Sequence, residues 1–142
     1  MAASPLIHVS LAILYQGDRV LMQLRDDVAT ILYPGHWGLF GGHLEAGETP
    51  EMGVVREVYE EIGYRLPECR FFGEYVDPYA RRSVFVAPLT CGLDALDLQE
   101  GQGMDLVPYA SVVQGVHFAT TLGEPRPLGS MHQRILLDFF HQ

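Results

Sequence analysis

Thr49 to Gly63 constrains this chain more than any other segment, because both ends of a helix are written into it. Thr49 is a good N-cap, Pro50 suits the first helical position, and Gly63 suits the residue just past the end. On a helical wheel Val54, Val55, Val58 and Ile62 share one arc, while Glu57, Glu60 and Glu61 share another. The apolar arc predicts a core-facing helix. The acidic arc needs its own explanation, since like charges four residues apart oppose helix formation by a few tenths of a kcal/mol. Arg56, four residues before Glu60, offers partial relief. Three carboxylates on one arc, with Glu48 just before the helix, make an oxygen-rich set suited to hard divalent cations. A solvated polar face is the competing reading.

The rest of the chain predicts a sheet around this helix. Ile7–Tyr15 and Arg19–Arg25 read as strands joined at Gln16-Gly17-Asp18, and Trp37 to Gly42 as a short glycine-bearing strand. Further strands are expected at Phe71–Val76, Ser83–Leu89 and Met104–Val107, with a C-terminal helix over Met131–Phe140. Leu122–Gly129 reads as the loop that feeds it. The expectation is a single α/β domain over residues 1–142, of the α+β kind with a mixed sheet, since no repeat or composition break marks a second.

Charge narrows the function. Nine basic residues face eighteen acidic ones, and every basic residue is arginine. Without lysine there is no P-loop lysine and no Schiff-base chemistry, and the net charge of −9 argues against a duplex nucleic acid partner. Six glutamates and one arginine fall between Glu45 and Glu61, a local net of −5. Cys69 and Cys91 are too few for a disulfide framework and too far apart for a C-x-x-C site, so a reducing, cytoplasmic setting is expected. The apolar run Ile7–Tyr15 is short and lacks a basic flank, so neither a signal peptide nor a membrane span is expected.

The spacing around the acidic arc is specific. Gly42 is followed by Glu48, then by Arg56-Glu57, an aliphatic Val58, Glu60-Glu61 and Gly63. Gly42 to Tyr64 thereby resembles the Nudix box, the signature of the Nudix hydrolase family. Tyr64 departs from the aliphatic residue usual at its position, and Phe40 stands where many members have proline. The resemblance implies an α/β/α sandwich with a mixed sheet. It also implies metal-dependent hydrolysis of a pyrophosphate bond in a nucleoside diphosphate linked to another moiety, with Mg²⁺ or Mn²⁺ as cofactor. Glu57 and Glu61 would be the principal ligands, Glu60 a further ligand or base, and the Gly42 carbonyl another ligand. Glu48 and Arg56 would orient them. An acidic cluster alone would repel a pyrophosphate, and a divalent cation inverts that sign. The expected partner is a nucleotide-derived small molecule of the ADP-ribose or nucleotide-sugar type. A MutT-like nucleoside triphosphate pyrophosphohydrolase and a non-catalytic nucleotide sensor are the alternatives. Family members are often dimers, which leaves a homodimer open.

Outside the box, Glu100 lies in a loop where many relatives keep an extra glutamate, and is a candidate ligand or base. Arg25 and Arg81, the latter beside Arg82, are candidate phosphate clamps. Tyr33, Trp37 and Phe40 are candidates to stack on a base, although Trp37 and Phe40 alternate on a strand and fit a core equally well. His43-Leu44-Glu45 lacks the Pro-Cys-x-x-Cys partner of a zinc deaminase. The six histidines are scattered and read as surface or core residues.

Overall fold

The structure, a computed structural model, describes residues 6–142. In chain order the elements are β1 (Ile7–Gln16), β2 (Arg19–Leu24), β3 (Trp37–Gly38), β4 (Phe40–His43), α1 (Pro50–Ile62), β5 (Arg70–Val76), β6 (Ala80–Pro88), β7 (Gly103–Pro108), α2 (Tyr109–Gln114), β8 (Val116–Ala119), β9 (Glu124–Pro127) and α3 (Ser130–Phe140). β1 to β7 form one mixed sheet in which β1 and β6 run parallel and the other pairs antiparallel.

The hairpin of β1 and β2 is the key to the site. The two strands pair only at their closed end, Tyr15 with Val20 and Gln16 with Arg19. Beyond that, β1 gives its edge from Val9 to Ala12 to β4, while β2 pairs with β3 and, along its whole length, with β7. The strands therefore splay apart, and the wedge between them opens into a cleft.

Strand alternation sorts side chains into two layers. Leu11, Ile13, Val84 and Val86 pack with Ile135 and Leu136 of α3. Ala12, Leu14, Phe85 and Ala87 pack with Val54, Val58 and Ile62 of α1. Helices thus cover both faces of the sheet, as in an α/β/α sandwich. The predicted caps of α1 are present: the Thr49 hydroxyl accepts from the Met52 N–H at 3.2 Å, and the Gly63 N–H donates to the Tyr59 carbonyl at 2.8 Å. Val55 is a correction to the expected core arc. It is exposed, because the sheet covers only the narrow stripe of i, i+4 positions at Val54, Val58 and Ile62.

Three elements differ from the expected order. The predicted loop Leu122–Gly129 contains β9, which pairs with β8, and α2 precedes that hairpin. The strand was masked by Pro125 and Pro127, residues that an edge strand tolerates where a central one would not. The expected glycine strand is divided at Leu39 into β3, which pairs with β2, and β4, which pairs with β1.

Tyr64, unusual at its place in the box, has a structural use. It is buried, its hydroxyl donates to the Pro88 carbonyl at 2.9 Å, and it accepts from the Thr90 N–H at 3.0 Å. Tyr64→Phe strands both backbone groups. The expected result is a loss of about 1–3 kcal/mol in urea unfolding, with catalytic constants unchanged.

Candidate active site

Arg56 organises the acids of α1. Its Nε donates to Glu48 at 2.7 Å, and its Nη2 donates to the other Glu48 oxygen at 2.9 Å and to the His43 carbonyl at 3.1 Å. Nη1 donates to Glu57 at 2.9 Å and to Glu60 at 3.1 Å. One guanidinium thus ties the loop before the helix to two successive carboxylates, and its bidentate grip on Glu48 has the geometry of the strongest charge-assisted bonds. Those bonds hold the Glu48 carboxyl down to about 2 and raise the Arg56 pKa above its ordinary value.

Glu61 lies one turn beyond Glu57 and is treated differently. Its Oε1 accepts from the Gly41 N–H at 2.9 Å and its Oε2 from Gln23 Nε2 at 3.3 Å, both neutral donors. Burial pushes its carboxyl up to about 8, against the pull of the Gly41 bond and with the Glu57 charge adding to the rise. A cation beside a carboxylate this expensive to ionise would favour its charged form.

Glu100 arrives from the far side of the sequence. The loop that carries it is stapled to the end of α1: the Asp97 N–H donates to the Ile62 carbonyl at 3.0 Å and the Gln99 N–H to the Glu61 carbonyl at 2.9 Å. These bonds satisfy two of the helix's terminal carbonyls and set Glu100 close enough to raise the Glu61 pKa further. Glu57, Glu60, Glu61 and Glu100, with the backbone of Gly41 and Gly42, line one cleft of about 700 Å³.

The donor set suits a hard cation. Its groups are carboxylates, and a Cβ at Gly42 would lie 2.6–2.8 Å from the Glu57 carboxylate, so glycine leaves room for that carboxylate against β4. Among the described residues no three acidic, histidine or cysteine groups already stand in a closed ligand cage. Arg56 occupies one oxygen each of Glu57 and Glu60, and no hydrogen bond among the described residues uses their other oxygens. Each of the two carboxylates therefore keeps one oxygen for an ion.

Arg25 also lines the cleft, with its Nε donating to the Leu32 carbonyl at 2.8 Å and its pKa lowered by burial. Three other expected substrate contacts lie elsewhere. Trp37 is buried in the core on the α3 side, where its Nε1 donates to the His117 carbonyl at 3.0 Å. Phe40 is fully buried against α1. Arg81 sits on the α1 side of β6 and pairs with Glu74 at 2.9 Å. Strand parity is the reason, since Arg82, one residue on, faces the other way and lines the cleft. Of the three aromatic candidates only Tyr33 lines it.

Sequence reasoning passed over Gln23 and His132, which also line the cleft. Gln23 is the one polar residue in the buried run Val20–Leu24, and His132 shares the helical stripe of Ile135 and Leu136. A polar residue at an apolar position was the available signal in both.

A family model described as NUDIX domain matches residues 5–107. The chain is 43% identical over 77 residues to a MutT-like protein of Streptomyces ambofaciens, a match covering 52% of this chain and 46% of that one. It is 51% identical over 50 residues to the nucleoside triphosphatase NudI of an Enterobacter species, covering 35% and 34%. The chain thus spans under half the length of either relative. The NUDIX domain of Shewanella oneidensis NrtR, solved with ADP ribose, superposes with a TM-score of 0.73 at 18% identity, covering 98% of this chain and 89% of that one. The matched model contains the whole acidic helix and the sheet that positions it, and the chain belongs to the NUDIX domain family.

Proposed function

We propose that the chain is a metal-dependent pyrophosphohydrolase of a nucleotide-derived substrate. The observation that carries this reading is the convergence of Glu57, Glu60, Glu61 and Glu100 with the Gly41-Gly42 backbone on one cleft that also holds Arg25. Glu57 and Glu61, with Glu60 and the Gly42 carbonyl, would hold Mg²⁺ or Mn²⁺. When bound, the ion supplies the charge that lets an acidic site receive a pyrophosphate and acidifies an attacking water.

The chain's own groups divide the remaining work. Arg56 keeps Glu57 and Glu60 turned toward the cleft, and Glu48 fixes Arg56 in turn. Arg25 is placed to contact a phosphate. Glu60, whose side chain is 56% exposed, and Glu100 are the two candidates to take a proton from water. The name of the Enterobacter relative, a nucleoside triphosphatase, supports a nucleoside triphosphate as substrate. The ADP-ribose or nucleotide-sugar type is the other substrate class, and the NrtR domain solved with ADP ribose is the neighbour that supports it.

The test is product release across nucleoside triphosphates, ADP-ribose, nucleotide sugars and dinucleoside polyphosphates, with Mg²⁺, Mn²⁺ or EDTA. Metal-dependent turnover is expected. Nucleotide binding without turnover by a folded, metal-bound protein would shift the reading to a sensor. Glu60→Gln and Glu100→Gln divide the base role: the true base should lower kcat about 100-fold or more, and if neither does so, both assignments fail.

A further inference from the structure

The lining of the cleft carries a second set of polar groups. Arg82 of β6 is 2% exposed and lines the cleft. Its Nη1 pairs with Asp77 at 3.1 Å and reaches the Ala80 carbonyl at 3.4 Å, while its buried Nη2 has no hydrogen-bond partner among the described residues. A buried guanidinium nitrogen left without an acceptor is costly enough to require an explanation. His132 of α3 lines the same wall. Its Nδ1 accepts the Leu39 N–H at 3.1 Å, so the neutral ring carries its proton on Nε2, and burial with two nearby arginines holds its pKa down near 3. The neutral form is therefore the one present at neutral pH.

Both groups are donors. Arg82's own partners are already engaged: Asp77 Oδ1 takes the N–H groups of Tyr79 and Ala80, Asp77 Oδ2 takes Arg82, and the Ala80 carbonyl also takes the Asp77 N–H. Asp77 also neutralises Arg82, which favours a neutral acceptor over a further anion. Tyr33 completes the wall, its ring edge-on to His132 at 5.6 Å between centroids and its hydroxyl tied to the first turn of α3. Gly38 keeps the neighbouring space open, since a Cβ there would lie 3.3 Å from Arg25 Cδ and 3.6 Å from His132 Nε2.

We propose that this wall is a base-reading subsite for carbonyl-bearing nucleobases, in which Arg82 and His132 present N–H donors to a ring oxygen. A carbonyl at position 6 of a purine or position 4 of a pyrimidine supplies the missing acceptor. An amino group at the same position sets donor against donor and leaves Arg82 unpaired. The inference rests on the reading above only in taking the ligand to be a nucleotide, and it names the class of nucleotide.

Inosine and adenosine monophosphates differ at that position in the required way, as do uridine and cytidine monophosphates. Titration calorimetry of the wild-type protein in EDTA should give inosine monophosphate an affinity about tenfold or more above adenosine monophosphate, with uridine above cytidine. Arg82→Met should bring each ratio to within about twofold, with folding checked by circular dichroism. His132→Gln, which leaves the Arg82–Asp77 pair intact, should reduce the ratios in the same direction. Equal affinities in wild type, no binding of any of the four, or ratios unchanged in both folded variants overturn the proposal. Parallel turnover of inosine and adenosine triphosphates with Mg²⁺ separates the two readings. Keto-selective binding without turnover sinks the hydrolase and keeps the subsite; turnover with equal affinities does the reverse.

Discussion

Glu61→Gln is expected to lower metal-dependent kcat/KM by at least ~100-fold, or about 2.7 kcal/mol of transition-state stabilisation, while making the metal-free protein more stable at pH 8. Both effects come from one feature. Glu61 is held by the neutral donors Gly41 N–H and Gln23, and burial raises its carboxyl to about 8 from the ordinary 4.5. Between those values the folded state carries a proton that the unfolded state has lost. The stability associated with that proton is fully present below pH 4.5 and is lost as pH rises through 8. The wild-type metal-free protein should therefore melt progressively lower from pH 5 to pH 8, by an amount on the order of 5–10 °C for a few kcal/mol. Gln at 61 keeps the Gly41 bond and cannot ionise, so the slope should flatten. Adding Mn²⁺ should raise the wild-type melting temperature most at pH 8, because the ion replaces the proton, and should do little for the variant. Melting curves at three pH values with and without Mn²⁺ check all of this. A wild-type curve independent of pH, together with unchanged variant activity, would remove Glu61 from the site.

The acidic end of the site was legible in the sequence because it is local. Glu57, Glu60 and Glu61 are brought together by helix periodicity, and Thr49 and Gly63 state where that helix begins and ends. Arg56 was legible as a partner of Glu60 by its four-residue spacing, but its hold on Glu48 and on the His43 carbonyl depends on how the preceding loop folds back. The cleft itself was not legible. It exists because β1 exchanges β2 for β4 after two residue pairs, and nothing in the alternation of Ile7–Tyr15 indicates that change of neighbour. The substrate side suffered most, since its residues come from β2, β6 and α3 and meet only in three dimensions. With two adjacent arginines, composition cannot tell which faces inward; the pairing of Arg82 with Val9 and of Val84 with Leu11 decides it. Trp37 and Phe40 were drawn toward a ligand role by their chemistry, whereas the sheet assigns them to opposite cores. β9 was missed because prolines read as loop residues unless an edge strand is already known to be there.

Gly41 and Gly42 are adjacent, yet replacing each with alanine should fail in a different way. At Gly41 a Cβ would fall 1.9 Å from the Ser10 carbonyl oxygen and 2.9 Å from Leu11 Cα, both backbone atoms of the paired strand β1, and φ is +146°. No side-chain rotation relieves that contact. Gly41→Ala must either break the β1–β4 ladder or displace it, and a loss above about 4 kcal/mol is expected, at the extreme end for single substitutions. Separation of β4 would also withdraw the N–H that Glu61 accepts, so activity and fold should disappear together. At Gly42 the three atoms nearest to that Cβ all belong to the Glu57 carboxylate, at 2.6–2.8 Å, the far end of a flexible side chain. Glu57 can swing aside, and the expected cost in stability is about 1 kcal/mol. Its place against β4 is lost in doing so. Gly42→Ala should therefore remain folded, show a near-native circular dichroism spectrum, and bind Mn²⁺ at least ~10-fold more weakly. Chemical denaturation and Mn²⁺ titration of the two variants side by side test the distinction. A stable, active Gly41→Ala protein would contradict the strand contact. Native Mn²⁺ affinity in Gly42→Ala would mean that Glu57 does not bind the ion from the position that this glycine keeps open.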